Sequence, residues 1–150
     1  MESKIAQNEI TFRVAVPNDL PEIFKLVDEY NDGIEIDRTR TKNSLRDFVY
    51  VQGVFMVYHG DQVIGGIGGY VAPALITNDI IFNVMFFYIR PQFRKHTKRI
   101  ILEMELVMLP TRATQIVYGI PAGGKMPLLY RFFKMMGYKS LEIHVIRRLS

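Results

Sequence analysis

The chain has 150 residues, 49% of them hydrophobic and 23% charged, with a net charge of +4 and no cysteine. That composition excludes a disordered chain, a disulfide scaffold and a thiolate metal site. No apolar run is long enough to span a bilayer, and "MESKIAQNEI" lacks the apolar stretch of a signal peptide. The expectation is one domain over 1–150, with 1–9 flexible and a cytoplasmic location.

In chain order, "ITFRVAV" (10–16) alternates and reads as a strand. "PNDLPEIFKLVDEYNDG" reads as a helix. Asp19 and Glu22 fit a capping box, Pro21 suits a first turn, and Leu20, Ile23, Phe24, Val27 and Tyr30 share a face. A shorter helix is predicted over 41–50, with Leu45, Phe48 and Val49 inward. In "VFMVYHGDQVIGGIGGYV", His59-Gly60-Asp61 signals a hairpin with Gly60 at positive φ. Gly65, Gly66, Gly68 and Gly69 mark either close approach to the strand backbone or a bulged, twisted strand.

"IIFNVMFFYI" (80–89) is almost wholly apolar, as a central strand buried on both faces should be. A helix follows over 94–109, carrying Ile100, Met104, Val107 and Met108 and stopped by Pro110. "TQIVYGI" (114–120) is another strand. Pro127 opens a helix bearing Leu128, Leu129, Phe132, Phe133 and Met136, and Gly137 caps it. The stretch 138–149 reads as a final strand, with His144 an ordinary strand residue. The order β-α-α-β-β-β-α-β-α-β implies an α/β (α+β) fold, a mixed sheet with helices on both faces.

"YIRPQFRKHTKR" (88–99) gathers Arg90, Arg94, Lys95, Lys98 and Arg99 at a predicted helix start. These five exceed the net charge of +4, so the rest of the chain is close to neutral. Cations are disfavoured at a helix N-terminus, by about 0.3–1 kcal/mol each. A diphosphate reverses that sign, because the free amides and the dipole both favour an anion.

The residue order, together with 88–99 and "FKMMGY" (133–138), resembles the GNAT acyltransferase superfamily over nearly the whole chain. In that family a loop of the form Arg/Gln-x-x-Gly-x-Gly/Ala opens a helix after the central strand and cradles the pyrophosphate of acetyl-CoA. Here Arg94 stands first, with Thr97 and Arg99 at the small-residue positions. The resemblance implies a mostly antiparallel sheet of six to seven strands, splayed between 80–90 and 114–120. It also implies a coenzyme site made of Phe87, Tyr88, Ile89, Arg94, Lys95, His96, Thr97, Lys98 and Arg99. The family's tyrosine, which protonates the leaving thiolate, is replaced by Phe133, and Tyr130, one turn earlier, is the substitute candidate. The family's acceptor loop falls on Glu29, Asp32 and Glu35. The family's glutamate base has no counterpart on 80–89, where Asn83 is the polar residue and Asp79 precedes the strand.

Three functions follow. The first is an acetyl-CoA-dependent N-acyltransferase that moves acetyl to a primary amine, of a small molecule or a protein, by direct attack in a ternary complex, without metal. The second is a GNAT-fold binding or structural protein with weak or no catalysis, as a monomer or a homodimer. The third and weakest is nucleic-acid binding through 90–99, which lacks interleaved stacking aromatics beyond Phe93. No membrane partner is expected.

Overall fold

The computed structural model describes residues 9–30, 37–108, 112–119, 126–140 and 147. Among them are five strands and four α-helices: β1 (Ile10–Val14), α1 (Leu20–Tyr30), α2 (Arg38–Tyr50), β2 (Val54–His59), β3 (Gln62–Pro73), β4 (Ile80–Ile89), α3 (Thr97–Met108), β5 (Gln115–Tyr118) and α4 (Met126–Met135). The sheet order is β1-β2-β3-β4-β5. The first three pairings are antiparallel and β4–β5 is parallel. The sheet and α1–α3 lie in one compact unit, Met1–Gly119; α4 lies in a second, Ile120–Ser150.

The sheet is mixed and carries helices on both faces. On one side Ile23, Leu26 and Val27 of α1 and Leu45 and Val49 of α2 pack with Val54, Met56, Phe86 and Tyr88. On the other, Ile100, Met104 and Met108 of α3 pack with Phe55, Val57, Ile64, Ile67, Phe82 and Ile89. β4 contributes to both cores, which is why its sequence hardly alternates. Five described strands stand where six to seven were expected. The predicted last strand, 138–149, falls largely outside the described residues, and 138–140 are not in a strand.

Local chemistry moves several boundaries. Asp19 does not cap α1. Its carboxylate accepts the Val16 amide at 2.8 Å and pairs with Arg13 at 2.8 Å, closing a 3-10 turn over Pro17–Asp19. Leu26, absent from the predicted helix face, is fully buried. α2 starts at Arg38, before the predicted 41, because the Asp37 carboxylate accepts the Arg40 amide at 3.0 Å. The hairpin turns as predicted, with Gly60 at φ 59°.

Three of the β3 glycines, Gly65, Gly68 and Gly69, are explained by their own chain: strand β4 lies close against them. Two matter most. A Cβ on Gly68 would meet the Phe86 ring at 2.1 Å, and one on Gly69 would meet the Asn83 carbonyl oxygen at 1.9 Å. The β3–β4 register shifts between these two residues, so that Gly68 faces Phe86, Gly69 faces Val84, and Met85 is an extra residue on β4. β3 is closely approached along this stretch, and its own extra residue is Ile64, where the β2–β3 register shifts between Val57 and Tyr58.

Candidate active site

Strands β4 and β5 are clasped at one end, and among the described residues they do not pair at the other. At the closed end the Thr114 hydroxyl donates to Asp79 Oδ1 at 3.0 Å and accepts the Ile80 amide at 3.0 Å. Asp79 is further held by the Thr77 hydroxyl at 2.7 Å. This carboxylate is a clasp, at the far end of β4 from the basic turn. Pairing then runs only from Ile81–Gln115 to Val84–Tyr118. The next β4 residue is the bulged Met85, 57% exposed. From 85 to 89, β4 has β3 on one side and no described β5 partner on the other. The Tyr118 ring, at the end of β5, stands edge-on to Phe87 with centroids 5.9 Å apart.

Beyond Ile89 the chain departs from expectation. The predicted helix 94–109 begins at Thr97, preceded by a 3-10 helix over Pro91–His96. Arg90, the residue before that turn, has no capping side chain, and Pro91 lacks an amide, so the tighter turn is favoured. Within it the Phe93 amide bonds the Arg90 carbonyl at 2.9 Å, and the Thr97 amide bonds the Arg94 carbonyl. The Thr97 hydroxyl donates to that same carbonyl at 2.6 Å. Part of the expected amide cradle is therefore bonded within its own chain.

The cations divide into separate groups. The Arg90 side chain is only 18% exposed and fully engaged. It donates to the Val63 carbonyl at 2.8 Å, to Glu22 at 3.0 Å and to Glu29 at 3.1 to 3.3 Å. These bonds raise its pKa, Glu29 contributing most. Arg90 thus belongs to the attachment of α1, and Glu29 holds it. Arg94 turns back to the strand end. Its Nε donates to the Ile89 carbonyl at 3.1 Å, and its guanidinium lies 5.9 Å from the Tyr88 ring centre. Burial, then Glu29, pushes the Tyr88 phenol up. Lys95, His96 and Arg99 instead line a recess with His59, Gln92 and Phe93. Lys98 is exposed and lines neither.

AAC(6')-Iy, solved in complex with the bisubstrate analogue CoA-S-monomethyl-acetylneamine, superposes with a TM-score of 0.74 over 95% of this chain and 99% of its own, at 11% identity. A ribosomal-protein-alanine N-acetyltransferase from Brucella melitensis biovar Abortus 2308 gives 0.71 over 93% and 99%, at 12% identity. A GNAT family acetyltransferase from Staphylococcus aureus gives 0.68 over 93% and 98%, at 18% identity. The chain has the GNAT fold. No protein-family model and no curated protein sequence matches it.

On this GNAT fold the coenzyme-site candidates Phe87, Tyr88, Ile89, Arg94, Lys95, His96, Thr97, Lys98 and Arg99 run consecutively through the end of β4, the 3-10 turn and the first turn of α3. Their side chains do not form one ring: Arg94 faces the strand end, while Lys95, His96 and Arg99 face His59. Of the acceptor candidates, Glu29 is described and bonded to Arg90, whereas Asp32 and Glu35 lie outside the described residues. In the second unit Tyr130 is half-exposed, with its hydroxyl 2.9 Å from Ser140 Oγ. Phe133 is enclosed by the rings of Phe132 and Tyr138, at 5.6 and 5.2 Å. Among the described residues no three His, Cys, Asp or Glu gather as a metal requires, and no helix is long and apolar enough to cross a membrane.

Met85 and Tyr118 carry no functional expectation from the sequence, and His59 is read there only as part of the hairpin. The paired glycines opposite Met85 were the available signal for the bulge. Nothing local signals that His59 meets His96, because the hairpin and the 3-10 turn are brought together only by the sheet.

Proposed function

We propose that this chain is an acetyl-CoA-dependent N-acyltransferase acting on a primary amine. The observation that carries the reading is the β4 edge at 85–89, which among the described residues has no β5 partner beyond a bulge and runs directly into a basic turn, on a GNAT fold. An extended pantetheine can pair with Phe87, Tyr88 and Ile89 as an added strand does. The diphosphate falls to Arg94, Lys95, His96, Thr97, Lys98 and Arg99. Side-chain cations take a larger share of it than in a glycine loop, since the Thr97 amide and hydroxyl already bond the Arg94 carbonyl. We assign the amine to the acids near the end of α1, Glu29, Asp32 and Glu35, with the charge of Glu29 shared with Arg90.

In the reaction the neutral amine attacks the thioester carbonyl carbon and forms a C–N bond. The tetrahedral intermediate collapses with cleavage of the C–S bond. The thiolate takes one proton, which we assign to Tyr130, and the amine nitrogen loses one to solvent. A strand amide beside Met85 is suited to polarise the carbonyl. Holding the two reactants together contributes about 7–11 kcal/mol at best, so the enzyme tolerates weak acid–base help.

Thermal unfolding tests coenzyme binding. At a hundredfold its dissociation constant a ligand adds about 2.7 kcal/mol, or about 5–11 °C for a chain of this size. No shift with millimolar acetyl-CoA removes the reading, and an equal shift with inorganic pyrophosphate reduces it to polyanion binding. Phe133 at the tyrosine position favours a second reading, a GNAT-fold protein that binds coenzyme without turnover. A panel of amines assayed for release of free coenzyme thiol separates the two.

A further inference from the structure

The bulge at Met85 turns β4 over. Phe82 and Val84 pack into the core under α3, whereas Phe86 and Tyr88, in the same alternation, pack into the core under α1 and α2. Successive strand side chains point to opposite faces, so the extra residue reverses the face that every later one meets. Asn83, before the bulge, therefore faces the α1–α2 side. Its direct partners are Tyr70 on β3 and Val117 on β5, so these three form one row across the sheet. The face is fixed from α2 as well: the Phe48 ring stacks on Tyr70 with centroids 6.3 Å apart and planes 17° from parallel. Tyr70 is half-exposed, Met85 more so, and Asn83 and Val117 partly so. Tyr70 and Val117 belong to neither core, so among the described residues the row is an open floor ending at Met85. None of these residues is charged. The next row towards the Asp79 clasp, Ala72–Ile81–Gln115, is uncharged too.

We propose that this floor receives the body of the acceptor, and that the acceptor is a primary amine on a flat, uncharged frame, an arylalkylamine rather than a polycation. The inference rests on the transferase reading and names the kind of amine it takes. Met85 belongs both to the floor and to the β4 margin assigned to pantetheine. A body lying on the floor therefore holds its amine beside the thioester carbonyl. The exposed part of the Tyr70 ring continues the Phe48–Tyr70 stack, and the Met85 thioether adapts to an aromatic edge. The Asn83 amide supplies an acceptor for the amine N–H. The acids near the end of α1 match one ammonium charge as the amine arrives. A second or third cation finds no carboxylate in either row.

The test uses the whole chain saturated with coenzyme A, so that binding is read without turnover. By calorimetry, 2-phenylethylamine should bind saturably and at least tenfold more tightly than butylamine or spermidine. Tyr70→Ala, folded by circular dichroism and still stabilised by acetyl-CoA, should lose at least tenfold of that affinity. Tyr70→Phe, which keeps the ring, should retain it. With acetyl-CoA in place of coenzyme A, kcat/KM for the three amines should follow the same order. Tighter binding of spermidine, no saturable binding of 2-phenylethylamine, or wild-type affinity in Tyr70→Ala overturns the proposal. In each of those cases a thermal shift with acetyl-CoA leaves the transferase reading standing. If acetyl-CoA gives no shift in the wild type, that reading falls and this inference falls with it.

Discussion

Gly69→Ala should cost stability out of proportion to one methyl group. The added Cβ would sit 1.9 Å from the Asn83 carbonyl oxygen, 2.9 Å from its carbon and 3.2 Å from Val84 Cα. Ordinary contact begins near 3.4 Å, so β3 and β4 must part locally by about 1.5 Å. The obstacle is backbone, which cannot rotate aside as a side-chain tip can. Overpacking of this kind costs about 1–3 kcal/mol, and the backbone clash places Gly69→Ala at about 3. Gly66→Ala is the control on the same strand. Its Cβ would meet Leu26 Cδ1 at 3.3 Å and Phe86 at 3.4 Å, both side-chain atoms able to yield. It should cost under about 1 kcal/mol. Urea unfolding of both variants measures the difference, and the melting temperature of Gly69→Ala should fall by about 6–12 °C. Because Gly69 faces the residue before the bulge, the variant should also lose part of its thermal shift with acetyl-CoA. Equal losses in the two variants, or under 1 kcal/mol for Gly69→Ala, would refute the close-approach argument.

Arg90→Met keeps the side-chain volume but leaves Glu22 and Glu29 facing each other at the edge of α1; it should cost about 2 kcal/mol in urea, below the 3–5 of a fully buried pair because the acids are partly hydrated. Asp19→Asn removes the partly exposed ion pair with Arg13 and should lose about 0.2–1 kcal/mol at pH 7. The carboxyl of Asp19 is held below its usual range first by Arg13, then by the Val16 amide. Its contribution is therefore complete above about pH 3.9 and lost as pH falls through its lower folded value, so the gap between variant and wild type should narrow as pH falls below that range. For His96 the lowered pKa means that stability declines as pH falls from about 6.5 through the folded value, which a pH series of melting curves on wild type and His96→Gln measures. Tyr130→Phe should lower kcat about a hundredfold with little change in KM for acetyl-CoA; an unchanged kcat removes Tyr130 from the proton transfer.

Much of the scaffold was legible because it rests on local chemistry. The hairpin at Gly60, the doubly buried character of 80–89 and the cap at Gly137 each follow from residues adjacent in the chain. The site was less legible because it depends on residues far apart. The basic run 90–99 looked like a single electrostatic unit, yet Arg90 is neutralised by acids more than sixty residues upstream and His96 is stacked on a hairpin histidine. No linear reading distinguishes Arg90 from Arg94. The 3-10 turn was hidden for a different reason: Pro91 announces a turn, but a proline at a helix start is compatible with i+3 and with i+4 bonding alike. Asp79 and Thr114, unremarkable as single residues, together hold closed one end of the β4–β5 gap.

The bulge at Met85 also bears on how the chain reaches its folded state. The β2–β3 and β3–β4 hairpins join neighbouring segments and can form within microseconds, whereas the parallel partner of β4 is reached only across a thirty-four-residue span. Until α3 and β5 arrive, a nascent chain presents ten nearly uncharged residues along an open sheet margin, a template on which another molecule could add a strand. A kink midway shortens the straight run available for such pairing. The irregularity beyond which β4 has no described β5 partner therefore also limits aggregation during synthesis.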